Sequence, residues 1–242
     1  MGASLAFEAA LDRYARQNYI LLNYHVHIPQ PDPMVNPSTL ERQKFYGVRS
    51  SPSYFVDGDS DGGGGSADMA KSIYERKVEP AIEKHLTAAP EAAIKLRATH
   101  SGSTVKVKAS VSNVKSKSDK LRLQIALVED TVRYNGENGN RFHEMVVRSL
   151  AVAPAQAQGF ALRPGKGGSF EYTFDVAKAA ADAKAHLEDY ETNTRKGAYT
   201  FRKKKHEIAA GNLSVVAFVQ NEATRKILQA VYVKVPGGKA GT

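Results

Sequence analysis

Cysteine is absent from the 242 residues of this chain, which removes structural disulfides, thiolate metal sites and any thiol nucleophile together. Also missing is any run approaching the ~20 uncharged apolar residues of a membrane-spanning helix. The first residues show no basic start, apolar stretch and small-residue cleavage site of a signal peptide. Acidic residues are scarce in one part only. Up to Ala88 there are 9 Lys and Arg against 11 Asp and Glu, and beyond it 25 against 14, so the second part is strongly basic. Such a surface can meet nucleic acid, an anionic membrane or an acidic partner, although a solvated basic surface is the plainer reading. Apolar residues at 42% and charged residues at 24% are enough for a real core, and the length suits two domains.

The hydrophobic period changes once along the chain. Leu5, Ala6, Ala9, Leu11 and Tyr14 recur at helical spacing, with Ser4 available as a cap. Tyr19 to Ile28 is rich in aromatic and β-branched residues and runs into Pro29, Pro31 and Pro33, the pattern of a buried strand entering a loop. Asn36-Pro37-Ser38 introduces a short helix over 39–46 closed by Gly47. Pro52 precedes a strand over 53–56 that ends at Asp57-Gly58, and Gly62 to Gly65 reads as a flexible tip. A long helix follows over 67–85, with a kink expected at Pro80. After a linker at 87–91, apolar residues alternate with Lys, Arg, Ser and Gln over 94–98, 105–111 and 121–127. Further strands are expected at 145–152, 170–176, 213–220 and 227–235, and a helix over 177–190. No internal repeat at solenoid spacing is present.

The order helix, strand, helix, then Ser51-Pro52 opening a strand, then a long helix resembles a thioredoxin-like domain entered at its first helix. The segment 47–58 (GVRSSPSYFVDG) carries most of the resemblance, which covers about a third of the chain. It implies that Ser51-Pro52 is a cis peptide bond and that Ser51 and Pro52 are substrate-binding. It also implies that the CxxC motif, and the central strand before it, fall at or before Met1. The start is then either mis-assigned or engineered, or that of a natural chain that has lost the chemistry. A β-sandwich after such a unit is similar to secreted bacterial lipoproteins with an immunoglobulin-like module.

Other residues offer chemistry of their own. His25 and His27 are two apart on an expected strand, so both rings leave one face and could share a metal with Asp32, the nearby carboxylate. The alternative is packing at the strand end near Pro52. Asp57, Asp59 and Asp61 before Gly62 resemble the front of a calcium loop, with Asp68 where a glutamate belongs; a solvated turn is the simpler account. Arg202 to His206 (RKKKH), after Tyr199 and Phe201, could hold phosphates, or protect a sheet edge. Arg141, His143, Glu144 and Arg148 lack a nucleophile at a recognisable spacing and read as structural.

The fold class expected is α+β: an incomplete thioredoxin-like α/β domain over 1–88, then an immunoglobulin-like antiparallel β-sandwich over 92–236. The function expected is that of a redox-inactive thioredoxin-like protein, or a fragment of a periplasmic or secreted thiol–disulfide oxidoreductase. A non-catalytic interaction module is the alternative, and a metal-dependent hydrolase using His25 and His27 is a third class. No cofactor, metal, catalytic residue, nucleic acid or transmembrane segment is called for; the partner is a protein or peptide. Without its central strand the first domain should pair 19–28 directly with 53–56, borrow 227–235, or dimerise through an unpaired sheet edge.

Overall fold

The computed structural model describes residues 1–136, 139–153 and 158–237. Two antiparallel sheets occupy most of the chain beyond residue 92. β3 (Ala93–Ser101) and β4 (Thr104–Ser112) form a hairpin, and β8 (Gly168–Asp175) joins β4 to complete a three-stranded sheet. On β4, Val105, Val107, Ala109 and Val111 are buried while Lys106 and Lys108 are exposed, so the period of two gives one dry and one wet face. The larger sheet contains β5 (Leu121–Arg133), β6 (Phe142–Leu150), β7 (Phe160–Ala161), β9 (Leu213–Asn221) and β10 (Ile227–Lys234), in the order β10-β9-β5-β6 with β7 also on β5. The sheets meet through Leu123, Ile125 and Leu127 of β5, Val215 and Ala217 of β9, and Val107 and Phe174 of the smaller sheet.

The larger sheet has no wet face at its centre. β9 is buried at every residue from Leu213 to Gln220, and β5 from Leu123 to Glu129. The expectation of polar alternation over 121–127 therefore fails: the second face, with Ala126, Val128, Val216 and Phe218, is covered by Leu11, Ile20, Leu21, Leu22 and Tyr24 from the first part of the chain. Strands that are apolar on both faces are strands enclosed on both faces.

The covering layer is tied down by main-chain and cap interactions. α1 (Gly2–Arg13) has no side-chain cap, contrary to the role expected of Ser4. Its first N–H groups instead reach the glycine stretch, Gly2 donating to Gly65 O at 2.8 Å and Ala3 to Gly64 O at 3.1 Å. A Cβ at Gly65 would lie 2.5 Å from the Ile73 side chain, so this stretch is a fitted contact and not a free tip. α2 (Pro37–Tyr46) begins in a capping box between Asn36 and Thr39 and ends at Gly47 in the left-handed region. Asn36 Nδ2 also donates to Val147 O at 2.9 Å, and Leu150 N–H to Ser38 Oγ at 3.0 Å, which fastens the helix to β6. On the helix, the buried Arg42 donates to Gln220 Oε1 at 2.6 Å and lies 4.5 Å from the Phe45 ring centroid. Aromatic faces and neutral acceptors surround this charge, a cation–π setting worth about 1–2 kcal/mol when desolvated.

β1 (Ser53–Val56) pairs with β2 (Asp59–Gly63) around Asp57 and Gly58, whose φ of 46° and 94° are those of a tight two-residue hairpin. One helical run follows: a 3-10 turn at Ala67–Met69, α3 (Ala70–Ile73), a π-turn at Tyr74–Val78 and α4 (Glu79–Leu86). The widened turn stands just before Pro80, whose missing N–H interrupts the regular ladder, and takes the place of the expected kink. In the second part, α5 (Val176–Asp189) is capped by Asp175, whose carboxylate accepts from Lys178 N–H at 2.9 Å.

Tyr19 to Ile28 is not a regular strand. It is anchored on β6 by one parallel bridge, Asn23 N–H donating to Met145 O at 2.9 Å and Val147 N–H to Asn23 O at 3.0 Å. The strands expected to compensate each other form no ladder, since β1 pairs with β2 and β10 with β9; a single bond, Ile227 N–H to Asp57 O at 2.8 Å, joins the end of the β1 hairpin to β10. Packing Ile20, Leu21 and Leu22 on the larger sheet buries apolar surface that pairing within a small sheet would leave exposed.

The Asn36 junction gives a direct stability test. Asn36→Ala removes the cap and leaves the buried Val147 carbonyl without its donor, so urea unfolding should show a loss of about 2–3 kcal/mol. Asn36→Ser, which keeps a cap acceptor but not the Nδ2 donor, should fall between; a loss below about 0.5 kcal/mol for Asn36→Ala would contradict this role.

Candidate functional site

A crevice of about 600 Å³ lies between the covering layer and the second face of the larger sheet. One wall is formed by residues 17–24 without a break, and the other by 50–57 without a break. Successive side chains of an extended segment point to opposite sides, so an uninterrupted run of lining residues means that the crevice meets each wall along its backbone edge. Phe7 of α1 and Ile82 of α4 line it on one side, Val216 and Phe218 of β9 on the other. Its charged end holds Asp57 and His85, 3.2 Å apart, and the ion pair of Lys226 with Glu91.

Both walls carry main-chain groups without backbone partners among the described residues. β1 has β2 on one edge only. In a two-residue hairpin the pair beside the turn, Val56 with Asp59, exchanges hydrogen bonds; the next pair, Phe55 with Ser60, therefore turns the Phe55 N–H and C=O outward. On the facing wall Tyr19 N–H donates to Ala15 O and Asn23 is bound to β6, but no backbone hydrogen bond reaches Ile20, Leu21 or Leu22.

Ser51 and Pro52 stand on the rim of this crevice, joined by a cis peptide bond, as are Ile28 and Pro29. Ser51 is exposed; the Pro52 carbonyl accepts from Gly64 N–H at 2.8 Å. Glu8, unforeseen in the sequence, also lines the crevice, and burial together with the nearby Glu144 pushes its carboxyl up to about 7. Its signal was present: a lone acid beside Phe7 in an apolar stripe. Phe218 could have been found as well, in a strand too continuously apolar to have a wet side.

His25 and His27 do not share a ligand position and do not lie near Pro52. His25 Nδ1 donates to Asp32 Oδ2 at 2.7 Å, and its ring meets His143 edge-on at 5.3 Å. His27 Nδ1 accepts from Asp32 N–H at 3.1 Å, which leaves Nε2 as the donor to His186 Nε2 at 3.2 Å, while its ring stacks on Tyr190 at 3.8 Å. Among the described residues no three His, Asp or Glu side chains converge as a metal site requires. Burial lowers His27 to about 4, with His186 adding to the effect, and lowers His143 to about 4, with His25 adding. Burial raises the Asp32 carboxyl, but His25 and the Met34 N–H outweigh it, and the net direction is down.

The remaining sequence candidates have structural neighbours. Asp57 and Asp59 flank the hairpin turn and face His85. In the basic run, Lys204 pairs with Glu191 at 2.8 Å, and the main chain of Lys205 binds Pro33 O and the Arg148 guanidinium. Arg148 in turn faces Glu129 at 3.6 Å in the interior. Around His143 β6 keeps one register with β5 from Phe142 to Val147, and Met145 and Val147 pack with the covering layer while Val146 packs with Met34, the alternation of a strand, although the φ of Met145 is 54°. Exposed cations gather on the smaller sheet, where Lys95, Arg97, Lys106 and Lys108 share the wet face and Glu171 pairs with Lys108.

No protein-family model matches the chain, and no curated protein matches it in sequence. Its structure is similar to that of HBP35 of Porphyromonas gingivalis, with a TM-score of 0.53 and 12% identity over 84% of this chain; the chain spans 59% of that protein's length. A domain of the outer membrane lipoprotein Omp28 from Porphyromonas gingivalis aligns over 62% of this chain and 99% of its own, at 18% identity and a TM-score of 0.36. The likeness to HBP35 shows a related mixed α and β fold and leaves activity to be argued from the site.

The histidine seam sets the acid response. Histidines held neutral at about 4 in the fold bind protons near 6.5 when unfolded, so their stabilisation is complete above 6.5 and is lost as pH falls. Glu8 acts oppositely, keeping its proton in the fold up to about 7 against 4.5 unfolded, so its contribution is lost as pH rises. From about pH 4.5 to 6.5 His27 and His143 therefore add stability as pH rises, and Glu8 works against them. Relative to the unaltered chain, the slope of the urea midpoint against pH across this range should be more positive in Glu8→Gln and less positive in His27→Gln/His143→Gln; an unchanged slope in the double variant would place the protons elsewhere.

Proposed function

We propose that this chain is a redox-inactive, thioredoxin-like binding unit followed by an immunoglobulin-like sandwich, and that it holds an extended protein segment in the crevice beside Ser51 and Pro52. The observation that carries this reading is the crevice itself, about 600 Å³ in volume, bordered by two backbone edges and closed by apolar side chains. Extended segments are recognised by main-chain edges that supply affinity and by side-chain pockets that supply selectivity. The order of α1, an extended segment, α2, a hairpin opened by Ser51-Pro52 and a long helical run supports the thioredoxin-like assignment. Without a thiolate the chain has no means of disulfide exchange.

The parent is a periplasmic or secreted protein related to thiol–disulfide oxidoreductases, on the resemblance to secreted lipoproteins of this arrangement. The wet face of the smaller sheet, with Lys95, Arg97, Lys106 and Lys108 exposed, favours docking to an acidic protein surface. No helix is long and apolar enough to cross a membrane among the described residues.

Fluorescence polarisation with reduced, carboxymethylated α-lactalbumin, an unfolded protein with blocked thiols, tests this function. Binding is expected, and Ser51→Trp at the rim should weaken it about fivefold or more, roughly 1 kcal/mol. Insulin reduction should stay at buffer background. Absence of binding, indifference to Ser51→Trp, or turnover above background would each contradict the proposal.

A further inference from the structure

We infer that the crevice is a vacant strand position, filled by a β-strand of about four residues from a separate polypeptide, apolar on both faces and paired with both walls. The inference rests on the reading that the crevice holds an extended protein segment, and it specifies how. A strand residue inside stacked layers occupies roughly 160 Å³, the product of its rise, the strand spacing and the layer spacing, so 600 Å³ admits about four. Phe55 on one wall and Ile20 to Leu22 on the other offer N–H and C=O groups with no backbone partner among the described residues. One inserted strand would satisfy both edges, whereas a side-chain ligand would leave most of them unmet.

The enclosing surfaces set the guest's chemistry. Alternate side chains would face Phe7 and Ile82 on one side and Val216 and Phe218 on the other, so both faces favour apolar residues, and β-branched residues suit both. An amphipathic strand with one wet face is excluded. Charge is accommodated at the end where Asp57, His85, Glu91 and Lys226 stand, and beside Glu8 and Arg42, which also line the crevice. A second copy of this chain is a poor donor, because among the described residues each strand of four residues or more is already paired within its own fold.

The test uses the full chain and the N-acetylated, C-amidated octapeptide KTVVIVTK, fluorescently labelled. Binding is expected, while the same peptide with alternate amides N-methylated, which keeps the side chains but loses the donors of one edge, should bind at least about tenfold more weakly, roughly 1.4 kcal/mol. The charged peptide KTEDESTK should not bind. Ala230→Trp, which fills the crevice from the sheet, should abolish binding without altering the far-ultraviolet circular dichroism; should that variant not fold, the N-methyl comparison on the unaltered chain still decides. Equal binding of the N-methylated peptide would overturn strand insertion and leave the crevice-binding function standing if carboxymethylated α-lactalbumin still binds. Failure of both ligands would remove both. A dimer in sedimentation that the octapeptide dissociates would make a second copy the occupant and overturn the inference as well.

Discussion

The second face of the larger sheet must be kept from water, and the arrangement of the first half of the chain follows from that need. Ala126, Val128, Val216 and Phe218 would form a broad apolar patch if bare. Leu11, Ile20, Leu21, Leu22 and Tyr24 cover it, and α2 is fastened to β6 through Asn36 and Ser38. The covering elements are too few to build a closed sheet of their own. The crevice is what remains where the cover and the sheet do not fill the space between them.

Polar groups mark the seam where the two parts meet. Arg42 with Gln220, His25 with Asp32 and His143, and His27 with His186 each join a residue from the first part to one from the second. Polar pairs of this kind form in one packing only, so they discriminate between packings more than they add stability. They fix how α2 and the extended segment that carries His25 and His27 sit on the second part of the chain. The acid sensitivity of the histidines belongs to this seam and not to a catalytic centre.

Much of the β-rich part was legible because its rules are local. The alternation in β4, the Ala-rich run of α5 and the Asn36-Pro37 start of α2 each follow from a period or a cap. Composition reports that Tyr19 to Ile28 is extended and apolar, not what it pairs with; in the fold it packs on the larger sheet with a single bridge to β6. His25 and His27 looked like one site because an ideal strand places them on one face, but the extended segment is irregular there and Asp32 engages each of them differently. Ser51 and Pro52 line the crevice, yet Glu8, Phe218 and the opposing wall come from distant parts of the chain that no spacing connects.

The central claim is that two backbone edges bordering the crevice lack partners within the fold. Amide hydrogen exchange of the free chain, resolved to single residues, tests it most directly, since an amide without a hydrogen bond exchanges quickly even where apolar side chains surround it. The account predicts fast exchange at Ile20, Leu21, Leu22 and Phe55 while the amides of β9 stay protected. Protection at those four residues equal to that of β9 would show that the edges are already paired, and would contradict it.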